Sequence, residues 1–166
     1  MNDICILATG GTIDKDHDPI TEKLVFTGQS HISDILRECR VKDVPYQILM
    51  QKDSLDITDQ DREAMKHAIL ARTEEAIVLT HGTSTMAQTA EYLNGAVPGK
   101  TVVLTGAMRP FALLRSDASF NLGGAIVAAQ TLPPGVYVAM NGRVFDAAQV
   151  RKNIQTGVFE ERNNEA

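Results

Sequence analysis

A chain of 166 residues that is 43% hydrophobic and 22% charged falls in the range of a single globular domain and outside those of disordered or fibrous chains. At this length about 70% of the unfolded surface can be buried. The net charge of -5, with Lys and Arg spread singly, gives no electrostatic footprint for nucleic acid or an anionic membrane, and no apolar run approaches the roughly 20 residues of a membrane span.

A small-molecule ligand is therefore expected. The opening Met1-Asn2-Asp3 lacks the basic region of a signal peptide, which predicts a cytoplasmic location. The first apolar run, Ile4 to Ala8, reads as a buried strand, with Cys5 in it as a small hydrophobe. After Ser30, the residues Ile32, Ile35, Leu36 and Cys39 are spaced i, i+3, i+4, i+7 and predict a helix with one buried stripe. Two cysteines are too few for a disulfide framework or a zinc site, and Cys39, like Cys5, is expected to be buried. Tyr46 to Met50 is the second strand. Thr58 with Asp61 forms an acidic variant of the capping box, and Met65, Ala68 and Ile69 give the next helix its inner face. Ala76 to Thr80 is the third strand. A helix from about Thr85 to Asn94 follows, with Met86, Ala90 and Leu93 inward and Gly95 as a left-handed stop. Thr101 to Thr105 is the fourth strand, a helix after Ser116 carries Phe120, Gly124 and Val127 on one side, and Val136 to Asn141 is the fifth strand.

Strands alternating with helices predict right-handed crossovers on a mostly parallel sheet with flanking helices: one doubly wound α/β domain, flavodoxin- or Rossmann-like, over residues 1–157. Residues 158–166, which end in Glu-Glu-Arg-Asn-Asn-Glu-Ala, are expected to be a disordered tail. Such sheets place ligands outside the carboxyl ends of their strands. After the first strand comes Thr9-Gly10-Gly11-Thr12-Ile13, and after the third comes Thr80-His81-Gly82-Thr83-Ser84-Thr85-Met86. The first lacks the lysine of a nucleotide P-loop and is either a tight turn or a cradle of backbone N–H groups. In the second, Thr83 or Ser84 is either a helix cap or a reactive hydroxyl. Two hydroxyl-bearing glycine loops on one sheet edge point to a hydroxyl nucleophile with backbone donors for an oxyanion. His81 suits strand-end hydrogen bonding at least as well as general-base work. Lys152 would need a desolvated site to act as a base.

These segments, with Thr105-Gly106-Ala107-Met108-Arg109-Pro110 and Met140-Asn141 ahead of Asp146 and Lys152, resemble the L-asparaginase and glutaminase family of bacterial type, in its short, single-domain form. The resemblance runs from about Ile4 to Lys152. It implies hydrolysis of the asparagine side-chain amide to aspartate and ammonia, with slower action on glutamine, no metal or organic cofactor, and a homo-oligomer. Thr12 matches the family's nucleophilic threonine, and Thr83 matches the second threonine, which works with a following aspartate and a lysine, here Lys152, as a proton relay. Backbone N–H groups around Gly11, Thr12 and Thr83 are the candidate oxyanion donors. Ser54 matches the serine that holds the substrate carboxylate, and Ala107 a position whose backbone lies beside the substrate amide. Arg109 and Asp117 are expected to pair structurally.

The chain departs from this pattern at four places. Ser84 stands where the family has the aspartate that contacts the substrate ammonium and the lysine, which implies weaker binding and a less well poised Lys152. Leu55 stands where a polar residue usually follows the serine, and Asp53 or Asp56 is either a replacement carboxylate or a turn and cap residue. The segment Asp14 to Thr27, expected to be a flexible lid, contains Leu24-Val25-Phe26 and no tyrosine. By this resemblance the chain is expected to lack the smaller C-terminal domain of longer relatives. Two other readings stay beside the amidohydrolase: a catalytically impaired amino-acid-binding protein on this scaffold, and an amidase subunit of a larger assembly.

Overall fold

Each of the five apolar runs forms a strand in the computed structural model, which describes residues 3–162. The strands β1 (Ile4–Gly10), β4 (Tyr46–Lys52), β5 (Ala76–Thr80), β6 (Thr101–Thr105) and β7 (Gly135–Met140) are parallel, and β8 (Arg143–Asp146) closes one edge antiparallel to β7. Their order is β4-β1-β5-β6-β7-β8. The chain thus leaves β1 toward one edge and resumes at β5 on its other side, which makes the β1–β5 boundary a topological switch point, where the carboxyl ends diverge into a crevice. The doubly wound α/β fold read from the sequence is the fold observed.

The helices cover both faces. On one side α1 (Ile32–Glu38) and α4 (Ala118–Thr131) pack Ile32, Ile35, Leu122, Ala125 and Ala129 against Ile6, Val78 and Val103. On the other, α2 (Asp59–Leu70) and α3 (Met86–Leu93) bring Met65, Ile69, Met86, Ala90 and Leu93 onto Leu7, Leu79 and Leu104. Burying such a side chain stabilises the fold by about 1.5–3 kcal/mol. The capping box of α2 is present in both directions, Asp61 N–H donating to Thr58 Oγ1 and Thr58 N–H to Asp61 Oδ2. Gly95, at φ 74, is the left-handed stop after α3.

Two local expectations are corrected and two are made more definite. Cys39 is exposed, because α1 ends at Glu38 and the chain turns at Cys39 before its hydrophobic stripe can continue. On α4 the side bearing Phe120, Gly124 and Val127 is the outer one, since the Leu122, Ala125 and Ala129 stripe of this uncharged helix takes the close-packed contact with the sheet. The expected flexible lid holds a hairpin, β2 (Asp16–Asp18) pairing antiparallel with β3 (Lys23–Val25). Finally, residues 158–162 are structured: β10 (Phe159–Glu161) pairs antiparallel with β9 (Val150–Lys152) in a ribbon separate from the main sheet, and residues 163–166 of the expected tail lie outside the described residues. One buried aromatic overrides the polar composition there. Phe159 is fully buried in the core, its N–H donates to Asn141 Oδ1 at 3.0 Å, and Arg162 Nε donates to the Val150 carbonyl at 3.0 Å. Phe159→Ala should destabilise the protein by about 3–5 kcal/mol. A denaturant midpoint unchanged by that substitution would show the segment to be a dispensable tail.

Candidate active site

The crevice is built by three strand ends, those of β4, β1 and β5. Gly11, the first residue past β1, has φ 79 and ψ -177, a conformation essentially restricted to glycine. Its N–H donates to the Lys52 carbonyl at 3.0 Å, and a Cβ placed on it would stand 2.4 Å from the Gly82 nitrogen. A Cβ on Gly82 would in turn meet Ser54 Cβ at 2.6 Å. The two glycine loops therefore touch backbone to backbone with Ser54 behind them, and Thr12 and Thr83 are the residues that follow the two touching glycines. Thr12 is half-buried and begins a 3-10 turn (Thr12–Asp14). Asp14 pins that turn from below. Fully buried, it accepts Ser30 Oγ at 2.8 Å and the His31 N–H at 3.0 Å, while its Oδ2 has no hydrogen-bond partner and burial pushes the carboxyl above its ordinary range.

Neither Thr83 nor Ser84 caps α3: the N-cap is Thr85, whose Oγ1 instead donates to the Ser54 carbonyl at 2.7 Å. Thr83 is thereby free for another partner. Lys152 Nζ donates to Thr83 Oγ1 at 2.8 Å, and burial alone lowers the lysine from its ordinary value. Lys152 is partly buried and has no carboxylate partner among the described residues. Ser84 is exposed at the rim, its N–H donating to Ser54 Oγ at 3.2 Å. Ser54 itself is buried in a short 3-10 turn (Ser54–Asp56), whereas the Leu55 side chain is 75% exposed. Asp53 caps this turn by accepting the Leu55 N–H at 3.2 Å and is bound by Lys15 at 2.5 Å; Asp56 is exposed. Ala107, at the end of β6, packs its methyl into the core, so that only its backbone can serve a ligand. Arg109 and Asp117 do not pair through their charges. The Asp117 carboxylate accepts the Met108 and Arg109 N–H groups at 3.0–3.1 Å and Asn121 Nδ2 at 2.9 Å, which holds the loop after β6 to α4.

His81 is committed elsewhere. Its Nδ1 lies 2.8 Å from the Gly82 carbonyl, which can only accept, so Nδ1 carries the hydrogen and Nε2 accepts the Thr89 hydroxyl at 2.9 Å. Arg62 Nε donates to that hydroxyl at 3.1 Å. Burial lowers His81 to about 4, and with both ring nitrogens occupied it orients the Gly82 loop rather than serving as a base. An apolar hollow of about 550 Å³ between α4 and the β7–β8 edge, lined by Phe120, Val127, Met140 and Val144, contains none of the expected site residues. Among the described residues, no cluster of three His, Cys, Asp or Glu side chains could hold a metal ion, and no helix is long and apolar enough to cross a membrane.

Residues 3–163 match the family model described as Asparaginase, N-terminal. The chain belongs to the asparaginase family. It is 34% identical over 168 residues to a protein of Haemophilus influenzae described as a probable periplasmic L-asparaginase, covering 95% of this chain and 48% of that one. It is 33% identical over 170 residues to L-asparaginase 2 of Escherichia coli, again covering 95% and 48%. The probable cytoplasmic L-asparaginase of Campylobacter jejuni superposes with a TM-score of 0.82 at 29% identity, over 99% of this chain and 54% of that one. This member of the asparaginase family thus spans about half the length of these relatives.

Asp14 and Lys15 were not singled out from the sequence. The available signal was two charged residues following Ile13 directly, where a turn that merely reversed the chain would need neither. The buried His81 makes the asparaginase-type domain acid-sensitive with a definite sign. Its folded pKa lies below the roughly 6.5 of an unfolded histidine, so its contribution is complete above about pH 6.5 and is lost as the pH falls toward 4. His81→Gln, which can keep both hydrogen bonds without titrating, should show a smaller fall in melting temperature between pH 7 and pH 4.5 than the unsubstituted chain. Parallel falls would place the acid sensitivity elsewhere.

Proposed function

We propose that this chain is an amidohydrolase that converts L-asparagine to L-aspartate and ammonia, acts more slowly on L-glutamine, and needs neither metal nor organic cofactor. The observation that carries the reading is the 2.8 Å contact between Lys152 Nζ and Thr83 Oγ1 beside the Gly11–Gly82 junction. It supports a hydroxyl paired with a partly buried lysine whose hold on the proton is lowered by burial, beside the loop that carries a second hydroxyl, that of Thr12. In this proposal Thr12 Oγ1 attacks the side-chain amide carbon, and its proton passes by way of Thr83 to the Lys152 amine. The oxyanion is held by N–H groups of the Gly11–Thr12 and Thr83 backbone, where one donor is worth about 10²- to 10³-fold in rate. The amide nitrogen takes up a proton and leaves as ammonia. The Thr12 ester is then hydrolysed by water, which restores the hydroxyl and gives aspartate. Ser54 and Ser84 face the substrate α-groups, and the Ala107 backbone lies beside its amide. Glutamine, one methylene longer, fits less well by about 1–3 kcal/mol.

Ser84 weakens this site in the proposal. It offers a hydrogen bond but no counter-charge to Lys152 or to a substrate ammonium. Homo-oligomerisation and a cytoplasmic location belong to the same proposal. The first is supported by uncharged α4, which leaves Phe120 67% and Val127 61% exposed, and the second by the likeness to the Campylobacter protein.

Ammonia release from L-asparagine tests the reading. Thr12→Ala should abolish release with an unchanged melting temperature, and turnover surviving in that variant would overturn the nucleophile assignment. Ser84→Asp should raise kcat/KM about tenfold or more, a gain of roughly 1.4 kcal/mol in transition-state stabilisation. No gain in a folded Ser84→Asp protein would show that this position serves a substrate without an α-ammonium.

A further inference from the structure

One charged pair spans the same crevice outside the Thr12, Thr83 and Lys152 set. Lys15 Nζ lies 2.5 Å from Asp53 Oδ2, and the lysine side chain is only 16% exposed. Each partner belongs to one of the two short turns that carry expected site residues. Lys15 ends the turn that begins at Thr12, its own N–H donating to the Thr12 carbonyl at 3.2 Å. Asp53 is the N-cap of the turn that begins at Ser54, its Oδ1 accepting the Leu55 N–H at 3.2 Å. The pair therefore joins the end of β1 to the end of β4 across 38 residues of sequence.

The lysine is also covered. Its ammonium sits 5.4 Å from the centre of the Phe26 ring, one residue past β3, so the same group that bridges the two turns meets the β2–β3 hairpin. The hairpin's other polar ties, Thr27 Oγ1 to Asp16 at 3.4 Å and His31 Nε2 to Asp16 at 3.1 Å, run to its α1 side. Fully exposed ion pairs contribute about 0–1 kcal/mol. The lysine end of this one is covered by a ring while the aspartate side chain stays 39% exposed, the pair is anchored in backbone hydrogen bonds at both ends, and the Lys15 hydrogen bond is the largest cause holding the Asp53 carboxyl below its ordinary range.

We propose that Lys15 and Asp53 are positioning residues: their ion pair fixes the Thr12 turn against the Ser54 turn, and Phe26 on Lys15 fixes the β2–β3 hairpin beside both. The inference rests on the amidohydrolase reading for what the two turns do, though not for the tie itself. Neither residue needs to touch substrate. A misplacement of about 1 Å between reacting groups is enough to cost roughly 10²-fold in rate.

The test compares Lys15→Met, Asp53→Asn, the double variant and Lys15→Arg by steady-state ammonia release from L-asparagine and by hydrogen–deuterium exchange across residues 12–27. Each single loss should lower kcat about 10- to 100-fold with KM changed less than about threefold. The double variant should be no worse than either single one, Lys15→Arg should recover most of the rate, and exchange across 12–27 should quicken alike in the Met and Asn variants. Unchanged kcat and unchanged exchange would overturn the proposal. So would multiplied losses in the double variant, or an effect confined to KM, which would mean direct substrate contact. If the unsubstituted chain releases no ammonia, the amidohydrolase reading fails, and exchange alone decides the tie: quickened exchange upholds it and unchanged exchange removes it.

Discussion

Everything at the crevice depends on two backbones lying closer than any side chain would permit. Gly11 and Gly82 meet at the boundary between β1 and β5, with Ser54 against the far side of Gly82, and a Cβ at either glycine would overlap its neighbour. The topology supplies the reason for the place: at a switch point the connections leave in opposite directions, and the strand ends are left uncovered by their own crossovers. The glycines then draw the gap closed at backbone level while leaving it open to a ligand. Hydroxyls at Thr12 and Thr83 follow because each is the next residue along its chain.

The crevice places two lysines in contrasting surroundings. Lys15 has a carboxylate at 2.5 Å and an aromatic ring over it. Lys152 has a threonine hydroxyl at 2.8 Å, and only burial shifts its affinity for a proton. Loss of solvent around an ammonium without an opposite charge beside it lowers its hold on the proton, which is the direction of the Lys152 shift. One residue type thus meets two different settings in one crevice, and the neighbouring side chains set the difference. Buried His81, by contrast, spends both ring nitrogens on the scaffold.

The sheet was legible because its signals are local and repeated. Apolar runs such as Ala76 to Thr80 are buried at every position, and the Thr58–Asp61 box and the Gly95 stop act within a few residues. The pairing of Thr83 with Lys152 was also readable, but only through resemblance, since 69 residues separate them and nothing in the spacing brings them together. What escaped were features set by tertiary context. Cys39 continues a helical stripe in sequence but lies past the end of its helix. The outer side of α4 is as apolar as the inner one, so pattern alone cannot say which is covered. Phe159 sits in a polar stretch that composition reads as a tail, yet it finds a place in the core. The Lys15–Asp53 tie joins two turns that each look self-sufficient.

The ribbon that carries Lys152 has a consequence for when the site comes into being. The sheet positions that bear Thr12, Ser54 and Thr83 belong to the first half of the chain, whereas β9 and β10 share no ladder with that sheet and are held by Phe159, Val150 and Arg162. As the chain emerges during synthesis, the hydroxyls can be organised well before the lysine arrives. A partly made chain therefore holds Thr12 and Thr83 without the amine that donates to Thr83. The Lys152–Thr83 contact forms only when the ribbon docks, and loosening the ribbon would break it while the ladders of the six-stranded sheet kept their partners.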